Sequence, residues 1–429
     1  CNMGWTNLLW EQHQFLMHQF VSLPFALLFY FLATQGYLSV KSRYLFVSFG
    51  GCVLAVVTMG TYSVLLFAST LVFMLLVCSV SPRHVHSWVF GIQMLWQTSW
   101  HLLIQYKEYY LHEPVSIRLF LAVSSTMLLT QRITSVSMDV QEERVILPFH
   151  ISRQRRAWVL FLPLCSYILN FTTLLGGPLC SYSQFVSLIE GISLSPPPNP
   201  LGVVSLKVMQ VLLLESVRHC LVYFLKLHAF DPSDSSVLCG ILCAWGLAVD
   251  LRIRYYSHWR ISECLNNAAG LGFWASFSGS SPNWSGLSDG DPWAIETSSR
   301  VSEFARRWNT TTASWMRRLV FLRCKTFPLL MTFGFSAWWH GLHLGHFVGF
   351  LSWAATVKAD YKIHRHFQPK LTTTWRKLLY TCFSWINTQM IITCVVVVVE
   401  FRDMSGLRLL SATYLGLFPL LNITLLFIL

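Results

Sequence analysis

Apolar runs recur from Pro24 to Leu429, and that recurrence limits the fold more than any motif. A soluble domain carries roughly 25% Asp, Glu, Lys and Arg to face water. Here those four residues make up 12% of 429, while hydrophobic residues make up 54%. Such a chain cannot clothe a water-facing surface. It is read as an all-α polytopic membrane protein, one membrane-embedded domain over residues 1–429. The runs near 20–34, 44–60, 62–80, 85–106, 117–130, 157–175, 203–230, 237–251, 319–336, 339–357, 376–400 and 408–429 are the candidate segments. Several fall short of the ~20 residues of a simple span, so about eleven crossings with tilted and re-entrant helices are expected. The run at Pro24 to Ala33 has no basic region before it and reads as a first membrane segment, not a cleavable signal.

The formal charge of +12 is gathered in short clusters between the apolar runs. That pattern orients a membrane protein and does not read nucleic acid. The clusters fall in three connections, Arg132 to Arg156 (with Arg144, Arg153 and Arg155), Arg252 to Lys325, and Lys358 to Lys377. The positive-inside rule places all three in the cytosol. The second, at about 252–318, holds Trp274, Trp284, Trp293, Trp308 and Trp315. Tryptophan is enriched at membrane–water boundaries, so this connection is read as an interfacial cap. Twelve cysteines show no CxxC or zinc-type spacing, and most of them read as buried packing residues.

If Lys325 and Lys358 are both cytosolic, the chain between them enters the membrane and returns. His340 then sits fifteen residues in, about 22 Å along a helix and inside a hydrocarbon core of about 30 Å. An ionisable group at that depth faces a bundle interior or a water cavity. A histidine there can take and return a proton, as a general base for a hydroxyl nucleophile must. A structural histidine bonded to a carbonyl is the alternative. A metal site through His343 and His346 is another, though no acid or cysteine lies close by. Upstream, Arg306, Arg307, Trp308 and Asn309 are followed by Trp315, Arg317 and Arg318. Arginines at an interface pair with phosphate, of a lipid or of a nucleotide-bearing carrier. Asn309 offers both a donor and an acceptor, and it also opens a formal glycosylation sequon, as do Asn170, Asn283 and Asn422. Glu296 is the candidate carboxylate partner for Arg306. No Walker loop, His-Glu-x-x-His pair or Asp-His-His-Cys motif is present. A proton-coupled transporter using His340 as a relay stays open on these residues alone.

An Asn in an Arg-rich Trp-Asn motif, followed some thirty residues later by a His in a hydrophobic helix, resembles the membrane-bound O-acyltransferase family. The likeness is carried by Leu23-Pro-Phe-Ala-Leu-Leu-Phe29, Arg43-Tyr-Leu-Phe46, Glu108-Tyr-Tyr-Leu-His-Glu-Pro114, Met127-Leu-Leu-Thr-Gln-Arg-Ile-Thr-Ser135, Tyr255-Tyr-Ser-His-Trp259, Arg317-Arg-Leu-Val-Phe321 and Phe335-Ser-Ala-Trp-Trp-His-Gly-Leu-His343. It implies a multi-pass enzyme of the endoplasmic reticulum, built around an internal tunnel. It further implies transfer of octanoyl from octanoyl-CoA, a co-substrate and not a bound cofactor, to a serine near the amino terminus of the ghrelin precursor peptide. By motif, the catalytic pair is His340 and Asn309. Arg306, Arg307, Trp308, Arg317 and Arg318 would meet acyl-CoA, with Glu296 supporting. Phe333 lies seven residues before His340, hence on the same helical face about 10 Å away. With Trp353 on the returning helix it would close the acyl pocket. No metal is implied.

Overall fold

The computed structural model describes residues 2–147, 157–228, 237–274, 283–370 and 372–429. Arg153, Arg155 and Arg156 lie outside the described residues. The described chain is helical, apart from one isolated antiparallel bridge between Trp274 and Asn283. It forms two compact units, Cys1–Val211 with His258–Ser288, and Leu212–Ser257 with Asp289–Leu429.

The first unit holds α1 (Asn2–Thr34), α2 (Val40–Met59), α3 (Ser63–Ser79), α4 (Pro82–Gln105), α5 (Ile117–Gln141), α6 (Ala157–Ile168) and α7 (Tyr182–Gly191). Local chemistry sets several starts. Ser39 and Ser181 accept from the backbone N–H three residues on, and Pro82 occupies the first turn of α4, where its missing N–H costs nothing. Packing then depends on small residues. A Cβ at Gly51 would stand 1.6 Å from the Leu169 carbonyl oxygen, so only glycine lets α2 approach the end of α6 this closely. Arg43 is buried, and its guanidinium donates to the carbonyls of Ile189 (3.0 Å) and Glu190 (3.1 Å) at the end of α7. A cation there complements the negative end of the helix dipole.

Two long helices follow, α8 (Leu201–His228) and α9 (Val237–Ala268). The second unit continues with α10 (Pro292–Glu296), α11 (Val301–Arg307), α12 (Thr310–Met316), a π-helical turn at Arg317–Phe321, α13 (Pro328–His340), α14 (Leu344–Phe367), α15 (Thr374–Phe401), α16 (Met404–Ala412) and α17 (Leu417–Ile428).

Among the described residues, five helical segments are long and apolar enough to cross a membrane. They are Leu16–Thr34, Val40–Ser79, Ile117–Gln141, Leu201–Lys226 and Thr374–Phe401; the pair α16–α17, bent by 89°, makes a sixth if it is one span. The all-α, polytopic reading therefore stands. The figure of about eleven exceeds these simple spans, because helices such as α13, at 13 residues, are too short to cross alone.

Three sequence readings need correcting. Arg132 does not open a connection: it is buried in the middle of α5. Nor is Arg252 the start of a loop, since it and the residues to Ala268 form the second half of α9. Their charges are matched inside the fold, Arg254 to Asp250 at 2.5 Å and Arg260 to Glu263 at 2.7 Å, so polarity there marks ion pairing, not exposure. Of the eleven described cysteines, all free, only Cys264 and Cys394 are buried.

Candidate active site

The segment between Lys325 and Lys358 is a helical hairpin. Pro328 starts α13, with Phe327 in a left-handed conformation just before it, and α13 runs unbroken to His340. The chain then reverses through Gly341, Leu342 and His343 into α14, which packs back along α13. Gly341 makes the reversal possible. Its φ of 120° and ψ of 152° lie in a region that side chains exclude. Its carbonyl accepts a hydrogen bond from Nδ1 of buried His346 at 2.9 Å. The turn that follows His340 is thus held by a histidine six residues on.

His340 is half-buried at the tip of this hairpin, among rings. Phe350 stacks on it at 5.1 Å, Trp339 meets it edge-on at 4.9 Å, and His346 stands 6.1 Å away. From Phe350 the rings continue to Trp353 (6.5 Å), and Trp353 meets Phe333 edge-to-face at 5.4 Å. The anticipated contact between Phe333 and Trp353 therefore exists, between α13 and its returning partner α14.

Asn309 occupies a special backbone position. Its φ of 44° and ψ of 66° are left-handed, a conformation that asparagine tolerates better than most residues. It caps α12, its Oδ1 accepting from the Thr312 N–H at 3.3 Å. The next two residues are tied to Asp289: the Thr310 N–H donates to its carbonyl at 2.8 Å, and the Thr311 hydroxyl donates to its carboxylate. Trp308 stacks on Phe304 at 5.6 Å and meets Tyr255 and Tyr256 edge-on at 5.6 and 5.8 Å. Phe304 lies 6.4 Å from Trp353. A continuous path of rings, Trp308, Phe304, Trp353 and Phe350, therefore joins the neighbour of Asn309 to His340. A second tie runs through α12, where Trp315 packs 5.2 Å from Trp339.

The arginines separate by role. Arg306 is exposed and donates to the Tyr361 hydroxyl at 2.8 Å. Arg307 is spent on structure: it donates to the Ala294 carbonyl (2.7 Å) and Ser298 Oγ (3.0 Å) and pairs with Glu303 at 2.7 Å. Arg317, exposed, and Arg318, half-buried, begin the π-helical turn after α12. Glu296 does not pair with Arg306. It is bound by Arg252, fully buried, through Nε at 2.8 Å and Nη2 at 3.1 Å, and by the Tyr256 hydroxyl at 2.6 Å. Gln389 accepts from the same guanidinium at 2.9 Å. A fully buried arginine takes the nearest carboxylate, because an unpaired charge in that place costs far more than one at the surface.

Sequence reasoning missed Phe350, His346, Tyr256, Arg252 and Gln389. Only His346 carried a local signal, as part of the His-x2-His-x2-His spacing, and its Nδ1 is engaged by a carbonyl.

The model of the MBOAT, membrane-bound O-acyltransferase family, matches residues 83–399. The chain is similar to membrane-bound ghrelin O-acyltransferase MBOAT4 of Mus musculus, 41% identical over 432 residues, covering 100% of this chain and 98% of that protein. The enzyme of the same name from Rattus norvegicus is 40% identical over 430 residues, with 98% of each chain covered. More distant is membrane-bound glycerophospholipid O-acyltransferase 1 of Homo sapiens, 25% identical over 411 residues, covering 89% of this chain and 81% of that one. A multi-pass helical body, a histidine at the tip of an aromatic hairpin, and full-length identity at this level lead to one assignment: the chain belongs to the membrane-bound O-acyltransferase family and is an O-acyltransferase.

Proposed function

We propose that this enzyme transfers a medium-chain acyl group, octanoyl foremost, from acyl-CoA to a serine hydroxyl near the amino terminus of the ghrelin precursor peptide. It does so as a single membrane-embedded domain of the endoplasmic reticulum. The observation that carries this reading is the placement of His340 beside a wall of rings ending at Phe333 and Trp353. Full-length similarity to proteins named for ghrelin acylation supports the acceptor.

In this mechanism the serine O–H gives its proton to the His340 ring as its oxygen attacks the thioester carbonyl carbon. The C–O bond forms, and the electron pair moves onto the carbonyl oxygen. When that pair returns, the C–S bond breaks, and the departing thiolate takes the proton back from His340. No acyl-enzyme forms. Asn309, fixed by its cap and by Asp289, orients the thioester or the amide arm of the carrier. Arg306, Arg317 and Arg318 meet the carrier's phosphates, while Arg307 and Trp308 hold the segment that presents them. Phe333 and Trp353 bound the acyl chain. Glu296 supports the site from behind, through Tyr256 and its ring contact with Trp308.

The test is to incubate the purified protein with octanoyl-CoA and an amino-terminal ghrelin peptide, then to weigh the peptide. A gain of one octanoyl group on the serine, absent in His340→Ala, is the expected result. Acylation of a lysophospholipid but not of the peptide would overturn the acceptor. Ion flux without an acyl product would restore the transporter reading, which the family match leaves without support.

A further inference from the structure

Carboxylates in the second unit are almost all committed. Glu215, Asp250, Glu296, Glu303 and Asp360 each pair with an arginine. Asp289, Asp291 and Asp403 accept from a hydroxyl or a backbone N–H. Glu400 is the exception. Among the described residues of this unit it is the one carboxylate with no hydrogen bond and no cation within ion-pair distance.

Its place in the fold is on the acceptor's side of His340. Glu400 lies in the last turn of α15, a helix long and apolar enough to span a membrane. The other end of α15 adjoins the basic residues from Lys358 to Lys377, which the positive-inside rule puts in the cytosol. From Thr374 to Glu400 is about 40 Å along the axis, beyond a hydrocarbon core of about 30 Å, so the carboxylate stands at the lumenal boundary. That end of α15 also meets the tip of the catalytic hairpin. The Gly345 N–H donates to the Arg402 carbonyl at 2.9 Å, and a Cβ on Gly349 would stand 2.5 Å from the Val399 side chain. Gly349 precedes Phe350, whose ring stacks on His340. There is open space beside this contact. Tyr255, within electrostatic reach of Glu400 and 5.6 Å from the Trp308 ring, is 43% exposed, whereas Leu251 to Arg254, Tyr256 and Ser257 are buried. A lipid-facing helix exposes a stripe of residues three or four apart, so the lone exposure of Tyr255 marks a local opening.

We propose that Glu400 receives the α-ammonium of the acceptor peptide and so selects a serine close to a free amino terminus. This rests on the peptide reading given above. An extended peptide advances about 3.5 Å per residue, so the ammonium of the first residue lies roughly 10 Å from a serine two or three positions on. One carboxylate beside the hairpin tip can therefore decide which serine meets His340. An ammonium drawn out of bulk water needs a counter-charge, and Glu400 is the carboxylate of this unit that no other group has taken. Arg402, on the same rim, is a donor suited to the peptide's carbonyls.

The test measures acylation by the full-length protein with octanoyl-CoA and two forms of the amino-terminal ghrelin peptide, one with a free amino terminus and one N-acetylated. The parent should use the free peptide about ten-fold better in kcat/KM, because acetylation removes a hydrogen bond between charged groups. Glu400→Gln should raise the KM for the free peptide about ten-fold. It should leave the KM for octanoyl-CoA unchanged and use the acetylated peptide as well as the parent does. Glu400→Asp, shorter by one methylene, should fall between the two on the free peptide alone, and it decides the matter if Glu400→Gln fails to fold. An equal loss on both peptides would assign Glu400 to support of the hairpin and overturn the proposal. So would a Glu400→Gln enzyme that keeps the parent's preference for the free peptide, which would place the ammonium elsewhere. A parent that acylates neither peptide refutes the acceptor reading itself, and this proposal with it.

Discussion

Removing the Phe333 ring should lengthen the acyl chain that the enzyme prefers. In the structure Phe333 stands on α13 seven residues before His340, about 10 Å along the axis, which matches an extended medium-length chain measured from its carbonyl. It packs edge-to-face on Trp353 at 5.4 Å, so the two rings close that end together. Each methylene that finds apolar room is worth about 0.8 kcal/mol. Two more carbons in the space left by Phe333→Ala are then worth about 1.6 kcal/mol, or a roughly 15-fold swing from octanoyl toward decanoyl. Stability limits the choice of variant. A fully buried Phe or Trp loses about 3–5 kcal/mol on truncation to Ala. Trp353 is 8% exposed and takes that full loss, whereas Phe333 is half-buried and loses about half as much. Phe333→Ala is therefore the better probe. Competition among acyl-CoAs of six to twelve carbons, read by mass spectrometry of the peptide, measures the profile. An unchanged octanoyl preference in folded Phe333→Ala would return these rings to ordinary core packing and leave the end of the pocket unlocated.

Other perturbations separate chemistry from support. His340→Ala should lower transfer by roughly 100- to 10,000-fold, the usual worth of general acid–base catalysis, with acyl-CoA binding retained; turnover within a few-fold of the parent would remove His340 from the mechanism. Gly341→Ala forces a side chain into backbone space that costs about 1–3 kcal/mol, so kcat should fall more than binding as the ring of His340 turns; unaltered kcat would show that the reversal does not set the ring. Glu296→Ala strands fully buried Arg252 and should destabilise the protein by about 3 kcal/mol, the lower part of the range for broken buried pairs because Glu296 is partly exposed; a melting temperature equal to that of the parent would contradict this. Arg306→Ala should weaken acyl-CoA affinity without loss of stability, whereas Arg307→Ala should lower the melting temperature through its lost contacts with Ala294 and Ser298. Weaker peptide binding with unchanged acyl-CoA affinity in Arg306→Ala would reverse the assignment.

What the sequence disclosed follows from the range of the interactions involved. The candidate segments 319–336 and 339–357 put a break just before His340, whereas α13 runs through it and ends at Gly341. The shared face of Phe333 and His340 follows from the helical period only because both stand on that one helix. The charged half of α9 was misread because its partners are distant in sequence. Arg252 finds Glu296 44 positions away, and Lys207 finds Glu263 56 positions away, so neither partner is visible in a local window. The same limit hid the support of the site: Phe350 reaches His340 only because Gly341 reverses the chain between them, and His346 holds that reversal from α14. Asn309 shows both sides of this division. Its capping role follows from its own side chain and the Thr312 N–H three residues on, but its fixed position depends on Asp289 and on Trp308 lodged among Phe304, Tyr255 and Tyr256. The two candidate catalytic residues thus stand on adjacent short elements, α12 and α13, whose geometry comes from tryptophans that read as interfacial anchors in the sequence. In the fold Trp315 instead packs between α12 and the tip of the hairpin. Activity should therefore be as sensitive to the rings that position Asn309 and His340 as to those two residues themselves.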